Sequence, residues 1–169
     1  AYKFFGKGSI AGIPVPVIIL IIVFLLAHYI LTQTSYGRSV YAVGGNREAA
    51  RLSGIRVKTS EFLVYTLNGL MCGMAGLILT ARLGSAQSTS GTGIEMDAIA
   101  AVILGGTSLS GGVGFVLPTV VGAMIMGIID NILTLMNVNP HATNIVKGAV
   151  ILIAVLVDKK VKDLSAKAE

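Results

Sequence analysis

Two carboxylates that lie two positions apart, Glu95 and Asp97, are the first residues of this chain that could do chemistry. A pair of acidic side chains can share the roles of general acid and general base. No histidine, serine or metal-ligand constellation accompanies them, and His28 and His141 are each isolated. We therefore expect no catalytic residues and no metal site. Both carboxylates precede an apolar segment, which favours placement at a helix N-terminus, where negative charge is stabilised.

A glycine-rich segment follows from Gly105 to Gly114, and its composition resembles that of a loop that cradles phosphate. A Walker A loop requires Lys and then Ser or Thr after its last glycine, but Gly112 and Val113 stand at those positions. The chain also lacks a Gly-x-Gly-x-x-Gly pattern. The sequence therefore predicts no nucleotide or other cofactor. The energy for any uphill transport must come from another subunit or from an ion gradient.

The segment 41–57 carries the signals of a short helix. Asn46 suits the N-cap position, and Glu48 falls in the first turn, where its charge complements the helix dipole. Two alanines favour the helix interior, and Gly54 suits the position just past its end. So short a helix needs packing, because it is not stable alone in water. We expect a surface helix that either docks a soluble partner or is an ordinary loop helix.

The composition of the 169-residue chain shows where these segments must lie. Apolar residues make up 54% and charged residues 12%, about half the charged share of a soluble domain. Mean hydropathy is +0.83, and there are too few polar residues to cover a soluble globule. This excludes a disordered chain and argues against a soluble enzyme. The net charge of +5 is therefore interpreted as basic residues that flank membrane segments on the cytoplasmic side, and no nucleic-acid partner is expected. The single cysteine, Cys72, excludes an intrachain disulfide.

Four apolar stretches have lengths that suit helices spanning a lipid bilayer. A helix needs about 20 residues to cross the hydrocarbon core, which is roughly 30 Å thick. We name the stretches spans A, B, D and E, and they lie at about residues 13–31, 62–81, 115–136 and 142–157. Span A begins with two prolines, a position at which helices tolerate them.

Basic residues predict the orientation of these spans. Of the thirteen, five lie in the loop between spans A and B and four in the C-terminal tail. The positive-inside rule places both in the cytoplasm, which requires a fifth crossing between Arg82 and Phe115. As a helix, the apolar segment 97–104 would extend about 12 Å, far less than the thickness of the membrane. It therefore predicts a short or broken helix that continues as irregular backbone. The alternative is a loop that dips into the membrane and has no role in transport. Discontinuous helices of this kind often mark a transport path.

The expected architecture is an all-α, polytopic membrane helical bundle of about five crossings, one of them short or broken. It forms one domain over residues 1–169, with a cytoplasmic loop at 38–60, the A–B loop. Inside the spans, Asp130 and Lys147 are expected to face each other because an unpaired charge there is costly. Independent access of each to water is the alternative.

Span B carries further small and polar residues. Asn68 either hydrogen-bonds a neighbouring helix or lies along a transport path. Small residues on one face allow two helix backbones to approach closely. The glycines expected to pack in this way are Gly69, Gly73 and Gly76.

The residues of the A–B loop resemble a known family. Gly44-Gly-Asn-Arg-Glu-Ala-Ala-Arg-Leu-Ser-Gly-Ile55 is similar to the coupling loop of monosaccharide ABC importer permeases of the ribose/xylose type. Glu48-Ala-Ala50 with Gly54 also resembles the wider EAA-x3-Gly signature of importer permeases, although the Ile-x-Leu-Pro of the longer form is absent. The stretches 12–16, 85–114 and 145–158 resemble the same family, so the resemblance extends from about residue 5 to residue 158.

The resemblance implies a fold like that of vitamin B12 permeases, and it implies that the chain is the C-terminal half of a permease about twice as long. Such permeases work with a second permease subunit, cytoplasmic ABC ATPase subunits and a periplasmic sugar-binding protein. ATP hydrolysis belongs to the ATPase, so the chain itself is expected not to be an enzyme. The helix of the A–B loop would sit in a groove of the ATPase. The residues implied in this ATPase coupling are Asn46, Arg47, Glu48, Ala49, Ala50, Arg51 and Gly54.

The expected function is that of a permease subunit of an ATP-driven importer that carries a monosaccharide, a pentose such as ribose, across the bacterial inner membrane. The protein is multi-pass in the lipid bilayer, with the A–B loop and the C-terminus cytoplasmic. The alternatives are a permease for branched-chain amino acids or nucleosides, and a membrane anchor that transports nothing. The residues offered for the translocation pathway are Asn68, Glu95, Asp97, Thr107, Ser108 and Ser110.

Overall fold

A computed structural model describes residues 3–10, 12–87 and 89–166 of the chain. The chain divides into two compact units, residues 1–92 and residues 93–169, each with its own helix packing. Helices dominate both units, which confirms the all-α class expected from the composition. That the whole chain forms one permease domain stays a prediction.

The first unit has two long apolar helices, three shorter helices and one small hairpin. In chain order these are α1 (Lys3–Lys7), β1 (Ser9–Ile10), β2 (Ile13–Pro14), α2 (Val15–Gln33), α3 (Ser35–Gly45), α4 (Arg47–Leu52) and α5 (Val57–Leu83). Helix α2 has Pro16 in its first turn, where a missing N–H breaks no helical hydrogen bond. The helix is apolar all round and largely exposed, which is typical of a helix that faces lipid or further protein.

Four elements of this unit, α1, β1, β2 and α3, were not expected from the sequence. Strands β1 and β2 pair antiparallel, with Ile10 opposite Ile13, where the sequence predicted no strand. Helix α1 packs against α5. Helix α3 occupies the start of the predicted A–B loop because Thr34 ends α2 in an extended conformation, and the Thr34 hydroxyl accepts a hydrogen bond from the Gly37 N–H at 3.2 Å.

The long helices confirm the predicted spans and extend two of them. Among the described residues, three helices are long and apolar enough to cross a membrane, namely α2, α5 and α7 (Val116–Leu135). Span B is longer than predicted, since α5 begins at Val57. Span E lies within α8 (Pro140–Ala166), whose apolar part is the shorter stretch 142–156. The number of crossings stays a prediction.

The second unit consists of α6 (Ile94–Leu104), α7 and α8. Helix α6 has 11 residues, so it is about 16 Å long and confirms the short helix predicted between spans B and D. It packs against both α7 and α8. A side chain at Gly122 would collide with the Ala101 carbonyl oxygen, and one at Gly105 would collide with the Thr119 backbone. These two glycines therefore let the backbones of α6 and α7 approach closely.

Candidate functional site

Helix α4 of the A–B loop is capped at both ends. The Ala49 N–H donates to Asn46 Oδ1 at 3.0 Å, which confirms Asn46 as the N-cap. At the other end, the Gly54 N–H donates to the Arg51 carbonyl at 3.0 Å and the Ile55 N–H to the Ala50 carbonyl at 3.1 Å. This is a Schellman motif, and it requires the positive φ of 82° that Gly54 adopts. The sequence predicted both ends correctly because caps are local signals.

The faces of α4 differ in exposure. Ala50 is buried against the rest of the unit, while Arg47, Glu48 and Arg51 are exposed. Leu52 at the end of the helix is a large apolar side chain and is 82% exposed. The helix is anchored to α5 by an ion pair between Arg47 Nη2 and Glu61 Oε2 at 2.9 Å. The structure thus confirms a surface helix, and its docking to a partner stays a prediction.

A positively charged open cleft of about 630 Å³ lies beside α4, and we call it the α4 cleft. Four cationic side chains line it, against a single carboxylate. Such a field attracts an acidic surface and repels a basic one. The lining residues are Arg47, Glu48, Arg51, Arg56, Val57 and Lys58. Arg56 and Lys58 were not among the predicted coupling residues, although their charge and their place just after Gly54 were visible in the sequence.

The polar and small residues predicted on span B are exposed along α5. Asn68 and the three glycines Gly69, Gly73 and Gly76 are all open, and a Cβ added at any of these glycines would meet no atom within 4 Å. Within the described residues, therefore, no helix packs closely on this face. The close packing predicted for these glycines stays a prediction.

The start of α6 confirms the helix N-terminal position expected for Glu95 and Asp97, which both lie in its first turn. The Gly93 N–H donates to Glu95 Oε2 at 3.1 Å, and Gly93 has a φ of 90°. The carboxylate thus satisfies an amide that the helix itself leaves unpaired. Glu95 is exposed, whereas Asp97, two residues further along the same helix, is partly buried.

The glycine-rich segment after α6 forms a compact loop that holds three hydroxyl side chains. Backbone hydrogen bonds close it, from the Ser108 N–H to the Val113 carbonyl at 3.0 Å and from the Gly111 N–H to the Ser108 carbonyl at 3.1 Å. Ser108 is buried, and its hydroxyl accepts a hydrogen bond from the Ser110 N–H at 3.1 Å. Ser110 is exposed and Thr107 half-buried. We call residues 105–115 the hydroxyl loop.

Three charged side chains meet inside the second unit. Lys147 Nζ of α8 lies 2.6 Å from Asp97 Oδ1 of α6 and 2.9 Å from Asp130 Oδ1 of α7. The predicted contact between Asp130 and Lys147 is therefore confirmed. Sequence reasoning missed Asp97 as a third member, because it was interpreted as a helix N-terminal charge and as a residue of the translocation pathway, not as a partner of Lys147. The packing of α6 against α8 brings it there, and no local signal in the sequence reports that packing.

Comparison with known proteins supplies the family context. Residues 2–155 match a family described as "Branched-chain amino acid transport system / permease component". The chain is 54% identical to the ribose import permease protein of Escherichia coli (strain K12), over 94% of this chain and 50% of that protein. For the ribose import permease protein of Bacillus subtilis (strain 168), the identity is 49%, over 94% of this chain and 49% of the relative.

A xylose relative is nearly as similar. The xylose transport system permease protein of Escherichia coli (strain K12) is 48% identical, over 89% of this chain and 38% of that protein. The chain thus spans half or less of the length of the curated relatives that it matches. No solved structure matches it.

Proposed function

We propose that this chain, which belongs to the branched-chain amino acid transport system permease component family, is part of a permease that imports a monosaccharide. The substrate is a pentose such as ribose, and the membrane is the bacterial inner membrane. The observation that carries this proposal is the 48–54% identity to relatives whose names specify ribose and xylose, over about nine-tenths of the chain. The three long apolar helices support a multi-pass protein.

The coupling part of the proposal concerns α4. The chain has no motif for binding ATP, so the energy is supplied by a separate cytoplasmic ABC ATPase subunit. Helix α4 docks on that ATPase, with Leu52 as an apolar contact and the α4 cleft as a basic rim. An apolar centre surrounded by charged residues is the usual organisation of a protein interface. This arrangement predicts an acidic groove on the ATPase and a cytoplasmic A–B loop.

The transport part concerns α6 and the hydroxyl loop. A short helix that ends in irregular backbone at membrane depth is tolerated where it is buried in protein or lines a water-filled cavity. Ser110 and Thr107 offer hydroxyls of the kind that hydrogen-bond a sugar, and Glu95 is exposed at the other end of the helix. A second permease subunit and a periplasmic binding protein complete the proposed importer, as the resemblance implies.

The coupling proposal is tested by co-purification with the ATPase subunit of a ribose importer. We expect the wild-type protein at its full natural length to capture the ATPase, and Arg51→Glu to abolish capture, because it reverses a charge on α4. Lys7→Glu is the matched control, since Lys7 is equally exposed and lies on α1, outside the α4 cleft. Equal capture by Arg51→Glu and wild type would refute the assignment.

One alternative substrate is favoured by the description of the family, which names branched-chain amino acids. The ribose proposal predicts that a ribose-binding protein stimulates ATPase activity of the reconstituted importer and that a binding protein for branched-chain amino acids does not. The reverse result would establish the alternative. A membrane anchor that transports nothing would respond to neither.

A further inference from the structure

A buried ammonium group in the second unit is shared by carboxylates from two other helices. Lys147 is only 8% exposed, and its Nζ lies between Asp97 Oδ1 and Asp130 Oδ1 at 2.6 and 2.9 Å. Among the described residues, Lys147 is the only polar partner of these two buried oxygens. Charged residues inside membrane segments are costly and persist where they pair with one another. The three residues therefore form one electrostatic unit, which we call the Lys147 triad.

The three helices of this unit are joined in different ways. Helices α6 and α7 meet backbone to backbone at Gly105 and Gly122. On α8, Val150 and Ile151 pack against a small apolar cluster formed by Ala100 and Ala101 of α6 and Met126 of α7. The ion pair between Lys147 and Asp130 therefore adds a polar link between α8 and α7 to this apolar packing.

We propose that Lys147 is a positioning residue: its charge neutralises Asp97 and Asp130 and so keeps the short helix α6 in place between α7 and α8. We call this arrangement the clamp. Helix α6 leads directly into the hydroxyl loop, so its position determines where Thr107 and Ser110 are presented. The consequence for transport rests on the proposed function, in which this loop borders the pathway. The clamp itself rests only on the geometry of the triad.

Either of the two carboxylates alone can balance the positive charge of Lys147. If either aspartate becomes neutral, Lys147 keeps one charged partner and the triad becomes an electrically balanced pair. If Lys147 is lost, two partly buried carboxylates, whose Oδ1 atoms are shielded from water, remain without a counter-ion and repel each other. Removal of one partner from a buried ion pair is far more damaging than replacement of all its members by neutral residues. The clamp therefore predicts a non-additive pattern of mutational effects, whereas independent access of each charge to water predicts additive effects.

The test measures the position of α6 directly, by spin-label distances in the full-length protein in liposomes. Labels are placed at Ile99→Cys on α6 and Leu152→Cys on α8, two exposed positions, with every native cysteine replaced by serine. We expect a narrow distance distribution in the parent and in the single variants Asp97→Asn and Asp130→Asn. Lys147→Met should broaden it, as should Asp97→Asn combined with Asp130→Asn. The triple variant Lys147→Met/Asp97→Asn/Asp130→Asn should restore the narrow distribution.

Ribose uptake is measured in parallel on the same variants. Lys147→Met should reduce the maximal rate by about tenfold or more, and the triple variant should recover most of it. An unchanged distance distribution in Lys147→Met overturns the clamp, as does a triple variant as broad as Lys147→Met. If the distances follow the expected pattern but the parent protein carries no ribose, the proposed function fails and the clamp stands.

Discussion

At the scale of single residues, the A–B loop shows how local chemistry decides a local structure. Asn46 and Gly54 were assigned from the sequence to the two ends of a short helix, and both occupy those positions. An N-cap side chain accepts a hydrogen bond from an N–H about three residues along the chain. A C-terminal glycine in the left-handed conformation lets the chain hydrogen-bond carbonyls of the last helical turn. Neither depends on distant parts of the chain, so both could be predicted without a structure.

The cap at Asn46 leads to the first prediction. Asn46→Ala removes the acceptor of the Ala49 N–H and should cost about 1 kcal/mol of helix stability. Since α4 must be folded to dock, capture of the ATPase should weaken by roughly fivefold in a titration. Asn46→Ser retains a capping oxygen and is the control, with affinity close to that of wild type. Equal losses in both variants would indicate that the asparagine amide itself contacts the partner.

At the scale of elements, the contact between α6 and α7 depends on two glycines that the sequence did not single out. Gly122 lies in the middle of an apolar helix, where glycine is ordinarily unfavourable relative to alanine. The structure explains its presence, because a methyl group there would collide with the Ala101 carbonyl oxygen. This close approach is what allows α6 to pack on α7.

A matched pair of variants on α7 tests this contact. Gly122→Ala should destabilise the protein by roughly 1–3 kcal/mol, because the added methyl overpacks a backbone contact. Gly127→Ala, five residues further along the same helix, meets no atom within 4 Å and should be neutral or slightly stabilising. Thermal unfolding in detergent measures both. A Gly127→Ala variant as unstable as Gly122→Ala would show that flexibility of α7, not close packing, is what glycine provides.

At the scale of the whole molecule, the chain combines extensive apolar surface with a few concentrated charges. Many large apolar side chains of α2, α5 and α7 are exposed, which suits helices in contact with lipid or with further protein. The resemblance to sugar-importer permeases, first visible in residues 44–55, is confirmed by the family match and by the ribose and xylose relatives. The orientation of the helices in the membrane stays a prediction.

Cysteine labelling tests that orientation. In a Cys72→Ser background, Leu52→Cys should react with a membrane-impermeant maleimide in inverted vesicles and remain unlabelled in intact spheroplasts, because basic loops stay in the cytoplasm. Met136→Cys, exposed between α7 and α8, should show the opposite pattern. Labelling of both from the same side would contradict the predicted fifth crossing between Arg82 and Phe115.

The sequence by itself determined the class of protein, the approximate spans and the caps of α4. These follow from composition, apolar length, charge distribution and local hydrogen bonding, all of which can be assessed along the chain without knowing which helices touch. It also predicted that Asp130 faces Lys147, since the two spans are consecutive and a buried charge needs a partner.

Only the tertiary structure decided that Asp97 completes the Lys147 triad and that Gly105 and Gly122 bring α6 and α7 together. Asp97 is fifty positions from Lys147 in the chain. Which helix faces touch depends on the summed packing of many side chains, and no single local pattern records that sum. The sequence therefore revealed that Asp130 and Lys147 each needed a charged partner, and the packing of α6 added Asp97 to that pair.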